Sequence, residues 1–320
     1  MKKKQIILNI LLGLVISFGI FSCKPKSNTV APPTFTINSD AYNFYVVSDV
    51  GRNGYFKQKS LADTMGSFSE RISPKFIISA GDCFHGLGVR SVQDPIFLTN
   101  FENIYTHPNL HCEWYPILGN HEYQGNTQAL IDYSQISRRW CMPDRYYSIT
   151  KKVSDSTMLK IVFIDTPPFV EKYRKETEKY PDACKQDIQK QLVWLEKTLA
   201  EAKEKWILVV GHHPIYSIDE KHGDTPELIE KVKPLLQKYK VDAYICGHIH
   251  NFQHLQIPDS GFEYFVNSSA SLGRPNFEND STKFTSKDEG FSVISVTDTV
   301  FQCNFVNYNG QIIYQYNRKK

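Results

Sequence analysis

Ser79-Ala80-Gly81-Asp82-Cys83-Phe84-His85 follows directly on the apolar run Phe76-Ile77-Ile78. Phe76 to Ala80 reads as a short buried strand, because a continuous apolar segment of this length suits a strand covered on both faces. A glycine ends it, and Asp82 stands at its C-terminal tip. In α/β sheets, functional groups collect at the C-terminal ends of strands, where the loops leave together. Working outward, four more strand ends carry a residue able to ligate a metal. Asp49 closes the run Tyr42 to Val50, and Asn120 follows Trp114 to Leu118. His212 follows Trp206 to Val210, and the pair His248 and His250 follows Ala243 to Cys246.

Between these strands the apolar spacing becomes that of helices. Leu61, Met65, Phe68 and Ile72 predict a helix over 57–72. Residues 95–105, 187–204 and 226–239 predict three more. Residues 146–150 and 159–165 read as strands, and 167–185 as a charged surface loop. After His250 the helical pattern stops. Residues 252–257, 263–267, 291–296, 301–306 and 312–316 read as successive strands, with Asn309-Gly310 as a tight turn. Alternating β and α with an all-β finish predicts an α/β domain. It is built either on one mixed sheet or on two sheets face to face with helices outside.

Carboxylates, an amide and histidines at five strand ends make a ligand set for two metal ions. Carboxylate with neutral imidazole suits Zn, Mn or Fe rather than Ca. Alternation along an extended segment would aim His248 and His250 the same way, past Ile249. Asp82 can bridge two ions by giving one oxygen to each.

The order Asp49-x-Gly51, Gly81-Asp82, Gly119-Asn120-His121-Glu122, Gly211-His212, Gly247-His248-x-His250 resembles that of the calcineurin-like metallophosphoesterases. Longer stretches are similar to the purple acid phosphatases of the small tartrate-resistant type: Gly81 to Val89, Tyr133 to Trp140, Gln191 to Leu195 and Val209 to Ile218. The resemblance implies a metallophosphoesterase-type β-sandwich of two mixed sheets flanked by helices. It implies one metal held by Asp49, Asp82, His250 and the residue at position 85. A second would be held by Asp82, Asn120, His212 and His248. His121 and His222 would bind phosphate and assist the leaving group, His213 would line the pocket, and segment 167–185 would overlie the site as a mobile loop.

The implied activity is hydrolysis of phosphate monoesters by in-line attack of a metal-bound hydroxide. The substrate would be a phosphorylated small molecule or a phosphoprotein. A phosphodiesterase or pyrophosphatase on the same scaffold stays open, and so does a non-catalytic surface-binding lipoprotein. The chain departs from the family at His85, where the family has a tyrosine whose tyrosinate binds ferric iron and gives the purple colour. A neutral imidazole carries one negative charge fewer. That favours two divalent ions, Zn, Mn or ferrous iron, and a protein without the purple colour.

The chain has 320 residues, 41% apolar and 13% aromatic, enough for one large core. Its 37 Lys and Arg face 34 Asp and Glu, and the two balance once Lys2, Lys3 and Lys4 are set aside. No nucleic-acid partner is therefore expected. Those lysines precede the apolar segment Ile6 to Phe21, and Ile20-Phe21-Ser22-Cys23 resembles a bacterial lipobox. This predicts a signal peptide over 1–22, a lipidated Cys23 with a polar tether over 23–40, and a catalytic domain over 41–320. The expected product is a monomeric bacterial lipoprotein, exported to the periplasm or cell surface and membrane-anchored through Cys23. Cys83 and Cys246 read as packed thiols. Cys112, Cys141 and Cys184 lie in loops, where a disulfide is open.

Overall fold

A computed structural model describes residues 35–220 and 222–320. The expected signal peptide, Cys23 and most of the tether lie outside the described residues. The three strands that precede Asp49, Asp82 and Asn120 are β1 (Tyr42–Val47), β2 (Phe76–Ser79) and β3 (Glu113–Pro116). They pair in parallel, with Val46 opposite Ile78 and Ile78 opposite Tyr115. Parallel neighbours need a crossover, and α1 (Gln58–Ile72) supplies it between β1 and β2, burying Leu61, Met65 and Phe68. After α2 (Thr127–Asp132) come β4 (Tyr147–Lys152), β5 (Met158–Phe163), α3 (Glu171–Lys175), α4 (Ile188–Glu201) and β6 (Trp206–Val210). Then follow α5 (Pro226–Lys231), α6 (Lys233–Lys238), β7 (Ala243–Cys246), β8 (Phe252–Leu255), β9 (Glu263–Val266) and β10 (Thr282–Ser286). The chain finishes with β11 (Gly290–Val296), β12 (Val300–Asn307) and β13 (Ile312–Lys319).

The strands form two mixed sheets, ordered β13-β12-β11-β1-β2-β3 and β10-β8-β9-β7-β6-β5-β4. The period of two along β6 shows how they are layered. Trp206, Leu208 and Val210 enter the core shared by both sheets, while Ile207 and Val209 face a second core under the helices. Aromatic pairs cross the inter-sheet layer, among them Phe252 with Phe305 at 4.5 Å between ring centres and Tyr115 with Phe163 at 6.1 Å. Leu195 and Leu199 of α4, Leu228 of α5 and Leu236 of α6 cover the outer face of the second sheet. The face-to-face arrangement is thus the one realised. At the site end the sheets touch through a parallel bridge between Ser48 and Ser269.

Three expectations are corrected, and one strand is added. Residues 95–105 form a wide π-type turn, Leu98–Glu102, in place of an α-helix. Asn100 is drawn inward there, donating to the Cys83 carbonyl and accepting from the Asn53 N–H, both at 2.5 Å. The helix over 226–239 breaks at Val232, because Pro234 has no N–H for the Glu230 carbonyl. Segment 167–185 is folded, with α3 between two 3-10 turns, Pro167–Phe169 and Ala183–Lys185; Tyr173 and Tyr180 are buried. The edge strand β10 has too few apolar residues to be read from the pattern, and it pairs antiparallel with β8. Cys83, Cys112, Cys141, Cys184, Cys246 and Cys303 are free thiols, and Cys83 and Cys246 are packed in the interior as expected.

Candidate metal centre

The carboxylates come first, because their burial is the costly part of the site. Asp49 and Asp82 are buried at the tips of β1 and β2. Both have left-handed backbone, φ 53° and φ 51°, as do His248 at 72° and His250 at 65°. Such strain costs on the order of 1–3 kcal/mol per residue and persists where surrounding contacts fix it. Here the contacts are explicit. The Asp49 carbonyl accepts from Ser269 Oγ at 2.9 Å and Ser271 Oγ at 2.7 Å. Its Oδ2 accepts from Ser48 Oγ at 2.6 Å and from the His248 N–H at 2.9 Å. Gly81, at φ 90°, lets the imidazole of His212 lie against the strand tip, where any Cβ would collide with the ring.

Around these carboxylates the side chains form four overlapping groups of ligand atoms. They are Asp49, His85 and His250; Asp82, His85 and His121; Asp49, Asp82 and His212; and His212, His213 and His248. Asp82 Oδ2 faces both halves, 3.6 Å from His85 Nε2 and 3.4 Å from His212 Nε2. Its Oδ1 accepts from the His121 N–H at 3.0 Å. Asp82 thus stands between the two halves of the cluster. Asn120 Oδ1 lies 3.3 Å from His212 Nε2.

Backbone carbonyls fix the tautomers. His212 Nδ1 donates to the Ala80 carbonyl at 2.9 Å and His250 Nδ1 to the Leu272 carbonyl at 2.7 Å, so both rings turn Nε2 inward. His250 Nε2 stands 3.2 Å from Asp49 Oδ1. Asp49 Oδ1 and both ring nitrogens of His85 are buried without a hydrogen-bond partner. One His85 nitrogen carries the ring hydrogen; the other converges with Asp49 Oδ1 as an orphaned acceptor, and that pair fits a cation. Burial lowers the His85 pKa to about 3, so the ring is neutral and its lone pair available. Burial raises Asp49 and Asp82, but the adjacent His250 and His212 outweigh it and hold both carboxyls below the usual range. For His212, burial lowers the pKa and Asp82 raises it, to about 9 on balance.

The structure thus brings Asp49, Asp82, His85, Asn120, His121, His212, His248 and His250 to one place. The alternation argument for His248 and His250 is corrected. The segment leaves β7 in a tight left-handed turn, and the two rings join different groups, His248 with His212 and His250 with Asp49. His121 is partly exposed, with Nδ1 3.1 Å from the Gly86 carbonyl and its ring 4.6 Å from that of His85. His222 reaches the rim, its ring 4.8 Å from His248 and its Nε2 3.1 Å from Arg274 Nη1. His213 packs 4.4 Å from His248, with its ring nitrogens on Thr166 Oγ1 at 2.9 Å and the Tyr173 hydroxyl at 3.2 Å.

Sequence reading assigned no part to Glu122, Tyr173 or Arg274. Glu122 is fully buried and accepts three backbone N–H groups, from Asp82 at 3.0 Å, Phe84 at 2.8 Å and Gly119 at 2.6 Å. It ties the β2 exit to the β3 exit. Burial and Asp82 push its pKa up to about 8, against the Gly119 and Phe84 N–H donors.

The profile of the calcineurin-like phosphoesterase family matches residues 42–252. Purple acid phosphatase 4 of Arabidopsis thaliana is 32% identical, over 98% of this chain and 94% of its own. The chain belongs to the purple acid phosphatases, within the calcineurin-like phosphoesterases. Tartrate-resistant acid phosphatase type 5 of Sus scrofa is 30% identical over 91% of this chain and 89% of its own. Among solved structures, GAP50, the anchor in the inner membrane complex of Plasmodium, superposes with a TM-score of 0.74 at 24% identity, over 87% of this chain and 88% of that one. Purple acid phosphatase PPD1 from yellow lupin (Lupinus luteus) seeds gives 0.59 at 17% identity, over 87% of this chain and 53% of that one. At these identities the two structures bear on the fold alone.

Proposed function

We propose that the chain hydrolyses phosphate monoesters at a centre of two divalent ions, Zn, Mn or ferrous iron. Membership of the family makes it a metal-dependent phosphatase. The observation that carries the centre is the convergence of buried, unpartnered ligand atoms, Asp49 Oδ1 and one ring nitrogen of His85, beside His250 and Asp82. Asp49, His85 and His250 would hold one ion, Asn120, His212 and His248 the other, and Asp82 would serve both. Such a pair supplies an activated water and a clamp on the phosphate oxygens.

The protein's own groups do the rest. His121 offers Nε2 at the open side of the centre, 4.0 Å from Asp82 Oδ2, with Nδ1 anchored on Gly86. It can bind a phosphate oxygen and give a proton to the departing alkoxide. His222 Nε2 faces Arg274 Nη1, so these two residues act together on the substrate. Tyr173 of α3 steadies the His213 wall of the pocket. We further propose export and lipidation at Cys23, a monomeric state and a phosphorylated small molecule or phosphoprotein as substrate, from the signal-like N-terminus and the balanced charge. Metal-loaded protein assayed on an aryl phosphate and on an aryl phosphodiester tests the reading. Preferential release from the monoester is expected. Faster diester cleavage would assign a phosphodiesterase, and no turnover of either would refute the enzyme.

A further inference from the structure

His121 opens a single 3-10 turn, Glu122–Gln124, and that turn is fastened to both sheets. The Gln124 N–H donates to the His121 carbonyl and the Gly125 N–H to the Glu122 carbonyl, both at 3.1 Å, so the turn moves as one piece. Glu122 fastens it to the exits of β2 and β3 through the N–H groups of Asp82, Phe84 and Gly119. Tyr123 fastens it to the other sheet. The residue is fully buried, and its hydroxyl donates to Asp165 Oδ2 at 2.5 Å and accepts from Arg145 Nη1 at 3.2 Å. Both partners are fixed in turn. Asp165 stands just past β5, where Gln191 of α4 bonds its N–H at 2.8 Å and its carbonyl at 3.1 Å. Arg145 Nη2 donates to Thr127 Oγ1 at 2.7 Å, and the Thr127 hydroxyl donates to Asp182 Oδ2 at 2.9 Å. Neither Tyr123 nor Asp165 belongs to the four groups of ligand atoms.

Stability does not account for this strut between the sheets. A hydroxyl and a carboxylate are costly to bury, and apolar side chains of similar volume often pack as well or better. Asp165 also keeps Oδ1 buried without a hydrogen-bond partner, which adds to the cost. What the strut supplies is direction, because a hydrogen bond to a carboxylate fixes a distance and an angle where apolar contact fixes neither. The group it directs is His121. The His121 N–H is on Asp82 Oδ1 at 3.0 Å, its Nδ1 lies 3.1 Å from the Gly86 carbonyl, and its Nε2 is left for the open side of the centre. Misplacing such a group by ~1 Å can slow a reaction by about 100-fold.

We propose that Tyr123, held by Asp165 and Arg145, is a positioning residue that sets the aim of His121 Nε2 at the phosphate and its leaving oxygen. The inference rests on the two-metal phosphatase reading and gives a part in it to a residue outside the metal centre. The test is a double-mutant cycle on zinc-loaded protein with Tyr123→Phe, His121→Ala and the two combined. On an alkyl phosphate, whose leaving group needs a proton, Tyr123→Phe should lower kcat by about tenfold and His121→Ala by about 100-fold. The double variant should be no slower than His121→Ala alone. On 4-nitrophenyl phosphate, whose leaving group departs without a proton, the Tyr123→Phe loss should shrink to about twofold. Zinc content should stay that of wild type. Asp165→Asn keeps an acceptor for the hydroxyl and should retain kcat within about threefold of wild type. Additive losses, or equal losses on both esters, would mark the tyrosine as merely structural and overturn the proposal.

Calorimetric binding of orthophosphate to the same zinc-loaded proteins gives a second cycle that needs no turnover. Tyr123→Phe should weaken binding by about threefold, and the effect should vanish once His121 is replaced. That coupled loss supports the inference even if no ester is hydrolysed. An affinity in Tyr123→Phe equal to wild type sinks it even if the enzyme is active. If Tyr123→Phe does not fold, Arg145→Met frees the hydroxyl on one side only and carries the same two cycles, with a kcat loss of about threefold expected. Loss of the phosphatase reading and loss of this inference are thereby distinguishable.

Discussion

His85 and Glu122 sit within one buried cluster and do opposite things with their polar atoms. His85 leaves both nitrogens without a hydrogen-bond partner beside Asp82, whereas Glu122 fills both oxygens with backbone N–H groups. At position 85 the family's tyrosine would bring an anion; the imidazole does not. The metal-loaded wild type should therefore lack a strong visible band. His85→Tyr, loaded with iron in air, should acquire one, and an intensely purple wild type would refute the divalent assignment. At Glu122 the effect is mechanical. Where Glu122 is ionised, above about pH 8, Glu122→Gln replaces one acceptor oxygen by an NH₂ group facing N–H donors, so one buried donor is stranded. A loss of about 2–3 kcal/mol is expected. Metal affinity should fall by roughly 10–100-fold, as for other residues that orient ligands. Urea unfolding of the metal-free protein and a zinc titration measure the two, and an affinity equal to wild type would show that Glu122 does not set the geometry.

Elements built on local pattern were legible in the sequence, and those built on tertiary partners were not. The buried strands β2, β6 and β7 announce themselves as apolar runs ending in glycine, and Leu61, Met65 and Phe68 place α1 at helical spacing. The ligand positions follow from those strand ends. The left-handed turns at His248 and His250 do not, because they depend on Ser48, Asp49 and Leu272 from elsewhere in the chain. Asp165 is a similar case. At the end of β5 its Oδ2 accepts from the Tyr123 hydroxyl at 2.5 Å, while Gln191 of α4 bonds its backbone on both sides, at 2.8 and 3.1 Å. Burial raises its pKa to about 7 from 3.8. The folded protein therefore binds a proton here that the unfolded chain releases. The stabilisation is complete below about pH 4 and is lost as pH rises to about 7, by at most about 4 kcal/mol. Asp165→Asn should flatten this part of the curve. Urea midpoints for the two proteins between pH 4.5 and 8 give the comparison, and parallel curves would mean that Asp165 is not the titrating group.

Across the whole molecule, the candidate ligands divide between the two sheets. Asp49, Asp82, His85 and Asn120 leave β1, β2 and β3 of one sheet, while His212, His248 and His250 leave β6 and β7 of the other. The aromatic core joins the sheets through their middle, and the Ser48 to Ser269 bridge joins them at the site end. Without ions, that end keeps two buried carboxylates beside His212, and protonation of that ring supplies compensating charge. Two divalent ions would replace that proton and crosslink both sheets. Each ion held at a hundred times its dissociation constant stabilises the fold by about 2.7 kcal/mol, provided the unfolded chain does not bind it. Chelation and dialysis should thus lower the melting temperature by several degrees. Hydrogen exchange should quicken at residues 49–51 and 247–250, while the protection of β6 and β11 is kept. Two equivalents of Zn or Mn should restore both readings. Saturation at one equivalent would contradict the paired centre, and an unchanged melting temperature after chelation would show that the ligands do not clamp the sheets.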